Sequence, residues 1–287
     1  MSTGNFKFEN KGHKWVQNDV WTAVDGYTMG HLHPSTKRNA SALQNALDAS
    51  KAAGLPDISA SPAQSKFMAL QCRVLGVTHA LEVGTLGGYS AIWLASENPQ
   101  MKLTTVEFDP KHVEVARKNI AYAGLEDRIE VIQGSGLEVL SQLRKETEEG
   151  KRPKFGFFFI DADKPNNLNY FNLAVEMALP KAMICVDNVV RGGRLIDESA
   201  AGPRDTAGRV LVEGVAKDQR VESVVMQTVG EKSYDGCLWA ILKSEAWTSG
   251  TSGWGLEVRG VTSCDVVSYE SGRGLGIRTS NIDRALR

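Results

Sequence analysis

Neither sign of charge dominates this sequence. Its 33 Lys+Arg stand against 34 Asp+Glu, for a formal net charge of -1. A dedicated nucleic-acid binder would show a basic excess, so no nucleic-acid partner is expected. Long hydrophobic runs are missing too. The longest are about strand length, far short of the ~20 residues a spanning helix requires, and no membrane partner is expected. The N-terminus, MSTGNFKFENKGHKW, is polar and lacks the apolar core of a signal peptide. Cysteine is scarce: only 4 are present (Cys72, Cys185, Cys237, Cys264), without a CxxC pair. Two lie inside apolar strand-like runs, which reads as reduced, buried thiols in a cytoplasmic protein. No internal repeat is visible.

Alternation is what the chain does have. HALEVG (79–84), KLTTVEF (102–108), RIEVIQG (128–134), FGFFFID (155–161) and AMICVDN (182–188) are short runs rich in β-branched or aromatic residues. Segments of helical spacing separate them, among them YSAIWLASEN, PKHVEVARKNIAYAG and NLNYFNLAVEMALP. Pro110 suits a first helical turn and Gly124 a C-cap. Two further helices, within STKRNASALQNALDASKAAG and SPAQSKFMALQCRVLG, lead into the first strand. The expected fold is α/β: a doubly wound, mostly parallel seven-stranded sheet with helices on both faces. The parallel strands look uniformly apolar, as doubly covered strands should. After RVLVEGVAKD, another helix, VESVVMQTV and GCLWAIL are separated only by GEKSYD (230–235). They are expected to close the sheet edge as an antiparallel hairpin. The organisation is thus an N-terminal segment (1–34) that could form a substrate lid or interface, an α/β domain (35–243), and an appended Gly/Ser/Thr-rich tail (244–287) expected to be disordered.

In an open α/β sheet, ligands bind beyond the carboxyl ends of the strands. The first strand ends LEVGTLGGYS, with Glu82 inside it and Gly84, Gly87 and Gly88 in the turn. The second ends at Glu107, about 20 residues on, where such folds hold a ribose by its hydroxyls. The third ends QGSG (133–136), the fourth at Asp161-Ala-Asp163-Lys164, and the fifth at Asp187-Asn188. A dinucleotide site wants G-x-G-x-x-G. Here the spacing is G-x-x-G-G, and Glu82, Asp161 and Asp163 crowd the turn with carboxylates. Such a crowd repels a pyrophosphate but suits a cofactor carrying an ammonium and a sulfonium, so S-adenosylmethionine fits better than NAD. By itself the loop is a weak signal, since a tight turn without a ligand can have the same glycines. Asp161, Asp187 and Asn188 offer only oxygen donors, which favours Mg²⁺, Mn²⁺ or Ca²⁺ over zinc or copper. An isolated Asp-Asn pair would more often just start a turn; beside the Asp-Ala-Asp end of the fourth strand, the metal reading is preferred.

EVGTLGGYS, the acid in TVEFD, the IDADK block and VDN followed by VVRGG together resemble the cation-dependent class I S-adenosylmethionine O-methyltransferases. These are the caffeoyl-CoA and catechol O-methyltransferase group, with fungal small-molecule members most similar. The resemblance covers roughly residues 35 to 243 and implies a Rossmann-like methyltransferase fold. It implies a divalent cation, most simply Mg²⁺, on Asp161, Asp187 and Asn188, and S-adenosylmethionine held by Glu82, Gly84, Thr85, Ser90, Glu107, Gly136 and Asp163. Glu107 would take the ribose and Gly136 would lie beside the adenine. Lys164 matches the general base of the catechol enzymes, with Asp161 as its catalytic companion. The implied substrate is a catechol-like or polyphenolic small molecule, in secondary metabolism, and the implied assembly is a homodimer. Ala60 stands where plant members carry a threonine. A metal-independent methyltransferase, an NAD-dependent reductase and a non-catalytic scaffold are the alternatives.

Other conspicuous residues are expected to do less. His31 and His33, in a loop before a helix, suit a structural or lid role rather than a metal. His112 is expected on a solvated helix face. Trp15, Trp21 and Tyr27 could cap the site, an interface or the core. Arg191 and Arg194 could touch substrate or be solvated.

Overall fold

The computed structural model describes residues 18–244. Trp15, Cys264 and the tail from residue 245 onward, with the disorder expected of it, lie outside them. Seven strands form one sheet: β1 (His79–Val83), β2 (Lys102–Glu107), β3 (Ile129–Gln133), β4 (Phe155–Ile160), β5 (Ala178–Val186), β6 (Val221–Gly230) and β7 (Ser233–Leu242). Their order is β3-β2-β1-β4-β5-β7-β6. The first five pair in parallel, and β7 runs antiparallel between β5 and β6. The winding reverses direction between β1 and β4, and there the strand ends open a crevice.

Helices α1 (Asp19–Leu32), α2 (Ala40–Ala52), α3 (Pro62–Val74), α4 (Tyr89–Glu97), α5 (Pro110–Tyr122), α6 (Gly136–Glu148), α7 (Asn167–Met177) and α8 (Pro203–Val215), with short 3-10 helices at Lys164–Asn166 and Arg191–Ile196, complete the element order. Local chemistry starts and stops them. Asp109 caps α5 by accepting from Lys111 N and His112 N, Pro110 fills its first turn, and Gly124 follows its C-cap in the left-handed region (φ +65). Ser61 caps α3 the same way, accepting from Gln64 N at 3.2 Å ahead of Pro62.

Strand alternation splits the core into two layers. Leu81, Val83, Phe158, Ile160, Ile184 and Val186 face one side with α7 and α8, whereas Ala80, Leu103, Phe157, Phe159 and Cys185 face α3 and α4. Phe155 breaks the alternation and packs edge-on against Phe158, because the β4–β5 register shifts between Phe155 and Phe157.

Three expectations are corrected. The parallel strands are not all covered on both faces: β3 is a sheet edge, with only Ile129 buried. The hairpin turn is shorter than GEKSYD, because Tyr234 and Asp235 pair in the ladder with Val229 and Thr228, leaving Glu231 and Lys232 between the strands. His31, expected in a loop, lies instead in the last turn of the helix α1, with His33 as its C-cap.

Candidate functional site

The crevice is built first by glycines. Gly84 leaves β1 at φ +101, and a Cβ there would lie 2.1 Å from the backbone oxygen of Asp161. Only glycine lets the β1 and β4 ends approach this closely at the reversal point. Gly88 closes the turn, donating from its N–H to Thr85 O at 2.8 Å, and starts α4 at φ +82. From outside, Asn119 donates to Gly87 O at 2.9 Å. A Cβ on Gly87 would meet Ser50 Oγ at 2.0 Å.

Glu82 lies under this loop. It is fully buried, with Ser90 Oγ donating to Oε1 at 2.5 Å and Thr105 Oγ1 to Oε2 at 2.6 Å. Thr85 joins through its hydroxyl, 2.6 Å from that of Thr105. Burial pushes the Glu82 carboxyl up to about 7, against the pull of its two hydroxyl partners. Glu82, Thr85 and Ser90 are therefore brought together in one network beneath the loop.

Glu107 stands at the end of β2. Its Oε2 accepts from Leu86 N at 2.8 Å and Thr85 N at 3.1 Å, and its Oε1 accepts from Asp109 N at 3.0 Å. It thus ties the glycine loop to the next strand end. His112, expected on a solvated face, instead places Nδ1 3.5 Å from Glu107 Oε1 with its side chain mostly covered. The Asp109 cap explains this, since it turns the first turn of α5 back over the strand end. Phe108, 74% exposed, presents an aromatic ring beside this acid.

The far side of the crevice is made by Gly136, Asp163 and Tyr170. A Cβ on Gly136 would come within 2.7 Å of the Tyr170 hydroxyl. That hydroxyl donates to Asp163 Oδ1, and Asn166 Nδ2 donates to Asp163 Oδ2 at 2.5 Å. Burial and the Asp163 carboxylate both raise the Tyr170 phenol, which keeps it a neutral donor. Tyr170 was not singled out in the sequence; its signal is its place in the first turn of α7, seven residues past Asp163.

The acids at β4 and β5 meet as the parallel pairing requires. Ile160 pairs with Val186, and Asp187 N donates to Ile160 O at 2.9 Å, so Asp161 and Asp187 leave adjoining strand ends. Lys164 Nζ sits 2.6 Å from Asp161 Oδ1. Asp187 Oδ1 accepts from Asn188 N at 2.8 Å and from the Cys237 thiol at 3.1 Å. Burial first, and the Asp161 carboxylate next, raise Asp187 to about 6. Two carboxylates at adjoining strand ends, with an amide beside them, are an all-oxygen donor set that fits a hard divalent cation. Among the described residues no group of three or more His, Cys, Asp or Glu is placed to hold a metal. The candidate set here is two Asp and one Asn.

Other side chains fall elsewhere. Arg194 donates to Asp205 Oδ1 at 2.7 Å and Arg191 to Arg204 O at 2.7 Å, so both guanidiniums are engaged within the protein rather than solvated. His33 packs on Trp93 (ring centroids 4.3 Å apart) and bonds Asn39, and His31 reaches Tyr27 O at 2.7 Å on α1. Neither faces the acids. Ala60 packs, partly buried, against the α3–α4 side of the core. Trp21 is partly buried on α1, whereas Tyr27 is 68% exposed and fills no core. Asp235 was also missed. It lies in the stretch read as a turn, yet it accepts from Asn188 Nδ2 at 3.0 Å and from Arg191 N at 2.7 Å.

The chain is similar to known proteins over the same span. The sequence model of a family described as O-methyltransferase matches residues 35–235. O-methyltransferase imqG of Aspergillus flavus is 51% identical over 79% of this chain and 93% of its own length. A catechol O-methyltransferase of Niastella koreensis is 38% identical over 79% of this chain and all (100%) of its own. Among solved structures, an O-methyltransferase from Bacillus cereus in complex with SAH superposes with a TM-score of 0.73 at 42% identity, covering 78% of this chain and 99% of that one. Matched by this family over residues 35–235, and by these relatives over more than three quarters of its length, the chain belongs to the O-methyltransferase family and is an S-adenosylmethionine-dependent O-methyltransferase.

Proposed function

We propose that this enzyme methylates one of two vicinal oxygens on a catechol-like or polyphenolic small molecule, assisted by a divalent cation. The observation that carries the reading is the all-oxygen set Asp161, Asp187 and Asn188 beside the glycine loop. Asp161, Asp187 and Asn188 would hold the cation. Glu107 and the 84–88 loop would hold the ribose end of the cofactor, with Glu82, Thr85 and Ser90 bracing the loop from beneath. Gly136 and Asp163, with Tyr170, would border the adenine side. When bound, the cofactor supplies an electrophilic methyl group on a sulfonium, and the cation supplies positive charge that lowers the pKa of a chelated phenol. Lys164, whose Nζ lies 2.6 Å from Asp161 Oδ1, would accept the phenolic proton as general base. Opposite charges cancel in the methyl transfer, so the apolar walls behind β4 and β5 favour it by keeping bulk water out.

The resemblance to fungal small-molecule members supports a role in secondary metabolism, and the buried free thiols Cys72, Cys185 and Cys237 support a cytoplasmic site. No helix among the described residues is long and apolar enough to cross a membrane. The same resemblance, with the uncovered face of α1, supports a homodimer.

A methyl-transfer assay on a catechol panel, with and without EDTA and added Mg²⁺, tests this reading. Asp161→Ala and Asp187→Ala are expected to abolish turnover while circular dichroism stays that of the folded chain. A metal-independent transfer is the second reading, because Lys164 already pairs with Asp161 at 2.6 Å. Turnover that survives both EDTA and these substitutions would establish it instead.

A further inference from the structure

The acceptor set at β5 contains one ambiguous member. An aspartate turns an oxygen whichever way its carboxylate rotates, but an asparagine presents an oxygen on one side and an NH₂ on the other. Asn188 can serve a cation only if its NH₂ is held away from it. Asp235, on the neighbouring antiparallel strand β7, provides that hold. Its Oδ2 accepts from Asn188 Nδ2 at 3.0 Å, while its Oδ1 accepts from Arg191 N at 2.7 Å and Gly236 N at 2.8 Å. A carboxylate only accepts, so it selects the NH₂ edge of the amide and leaves Asn188 Oδ1 to the other side. No donor among the described residues bonds that oxygen.

The backbone is fixed by the same contact. Asn188 and Arg191 both have left-handed φ, +54 and +51, conformations that cost energy unless the surroundings enforce them. Val189 N donates to Gly236 O at 2.9 Å. A Cβ on Gly236 would meet Met226 O at 2.6 Å and Val190 Cγ2 at 2.7 Å, so the Asp235-Gly236 pair is shaped to carry this loop.

We propose that Asp235 is a positioning residue that locks the side-chain amide of Asn188 with its oxygen toward the cation site and its NH₂ away. This rests on the cation reading of Asp161, Asp187 and Asn188 given above. The lock makes an unusual statement about Asp235→Asn, a nearly isosteric change. The two backbone N–H groups on Oδ1 would retain the amide oxygen of the new side chain, leaving its NH₂ to face Asn188. Asn188 must then turn its own oxygen to that NH₂ and its NH₂ to the cation site.

The test titrates Mn²⁺ into the full chain saturated with S-adenosylhomocysteine and follows free Mn²⁺ by its electron paramagnetic resonance signal, with no turnover required. Asp235→Asn is expected to weaken Mn²⁺ binding at least tenfold. The reciprocal variant Asn188→Asp/Asp235→Asn is expected to bind within about threefold of the unsubstituted chain, because the amide NH₂ at 235 then donates to a carboxylate at 188 whose second oxygen remains for the cation. Thermal unfolding without metal reports whether each variant folds, and if Asp235→Asn does not, the reciprocal variant carries the test alone. A folded Asp235→Asn that binds Mn²⁺ as the unsubstituted chain does would overturn the lock. So would a folded reciprocal variant that fails to bind. If the unsubstituted chain itself takes up no Mn²⁺, the cation reading falls and the lock with it.

Discussion

Glu82 is a carboxyl held where an ion is costly, and its titration should be visible in the stability of the cofactor-free protein. Its folded pKa, about 7, lies above the ordinary value of 4.5. The folded state therefore keeps a proton that the unfolded state has lost between about pH 4.5 and 7. The stabilisation is full at low pH and disappears as pH rises through 7, a change on the order of 3 kcal/mol. The melting temperature measured without cofactor should fall from pH 5 to pH 8, and Glu82→Gln, which cannot ionise, should flatten that fall. An unchanged slope in the variant would assign the effect to another group. Gly136 makes a second residue-scale test. An added methyl would press on a Tyr170 ring that is itself buried and tied to Asp163, so it cannot simply swing aside. Gly136→Ala is expected to raise the dissociation constant for S-adenosylmethionine about tenfold by calorimetry, with a melting temperature lowered by only a few degrees. At this scale the identity of the acids was legible, because carboxylates at strand ends are rare and informative. Their partners were not. Asp235, Tyr170 and His112 reach the site from other elements, and nothing in their local sequence states which strand end they will face.

The element that organises the site is β4. Phe157, Phe158 and Phe159 are essentially fully buried on alternate faces of the sheet, so the strand is clamped between both helical layers and cannot shift without opening two cores. Asp161 inherits that rigidity. Phe158→Ala should cost about 3–5 kcal/mol in urea-induced unfolding. Gly84→Ala, whose Cβ would collide with backbone rather than with a movable side chain, should be at least as damaging and leave little folded protein. The β-α alternation was readable because buried parallel strands are written as continuous apolar runs. The exceptions have physical reasons. The edge strand β6 is mostly solvated, so its pattern does not distinguish ladder from loop, and polar residues of the hairpin that pair in the ladder looked like a turn. In α1 the composition hid a helix: with no buried residue, it shows no apolar stripe aimed at the core of its own chain.

That helix sets the question for the whole molecule. Asn18 caps α1 through bonds to Val20 N and Trp21 N, and Asp25 Oδ2 accepts from Glu231 N at 2.8 Å, pinning the helix over the β6–β7 turn. The side it turns outward is apolar: Val20, Val24 and Tyr27, spaced at helical intervals, are 67%, 54% and 68% exposed. A 14-residue helix with no fully buried residue gains less from its own chain than its neighbours do, and helices in proteins draw most of their stability from packing. The homodimer proposed above would supply the missing cover if two copies bring these faces together. Sedimentation velocity of the full chain at micromolar concentration is then expected to give a dimer. Val24→Asp, placing a charge in the middle of the face, should shift it to monomer. Because α1 lies on the Asp25 contact and not on the acids of β4 and β5, the monomeric variant should keep its Mn²⁺ binding while its α1 amides exchange faster with solvent deuterium. A chain that sediments as a monomer without substitution, with α1 amides as protected as those of α4, would mean that α1 needs no second copy to hold its place.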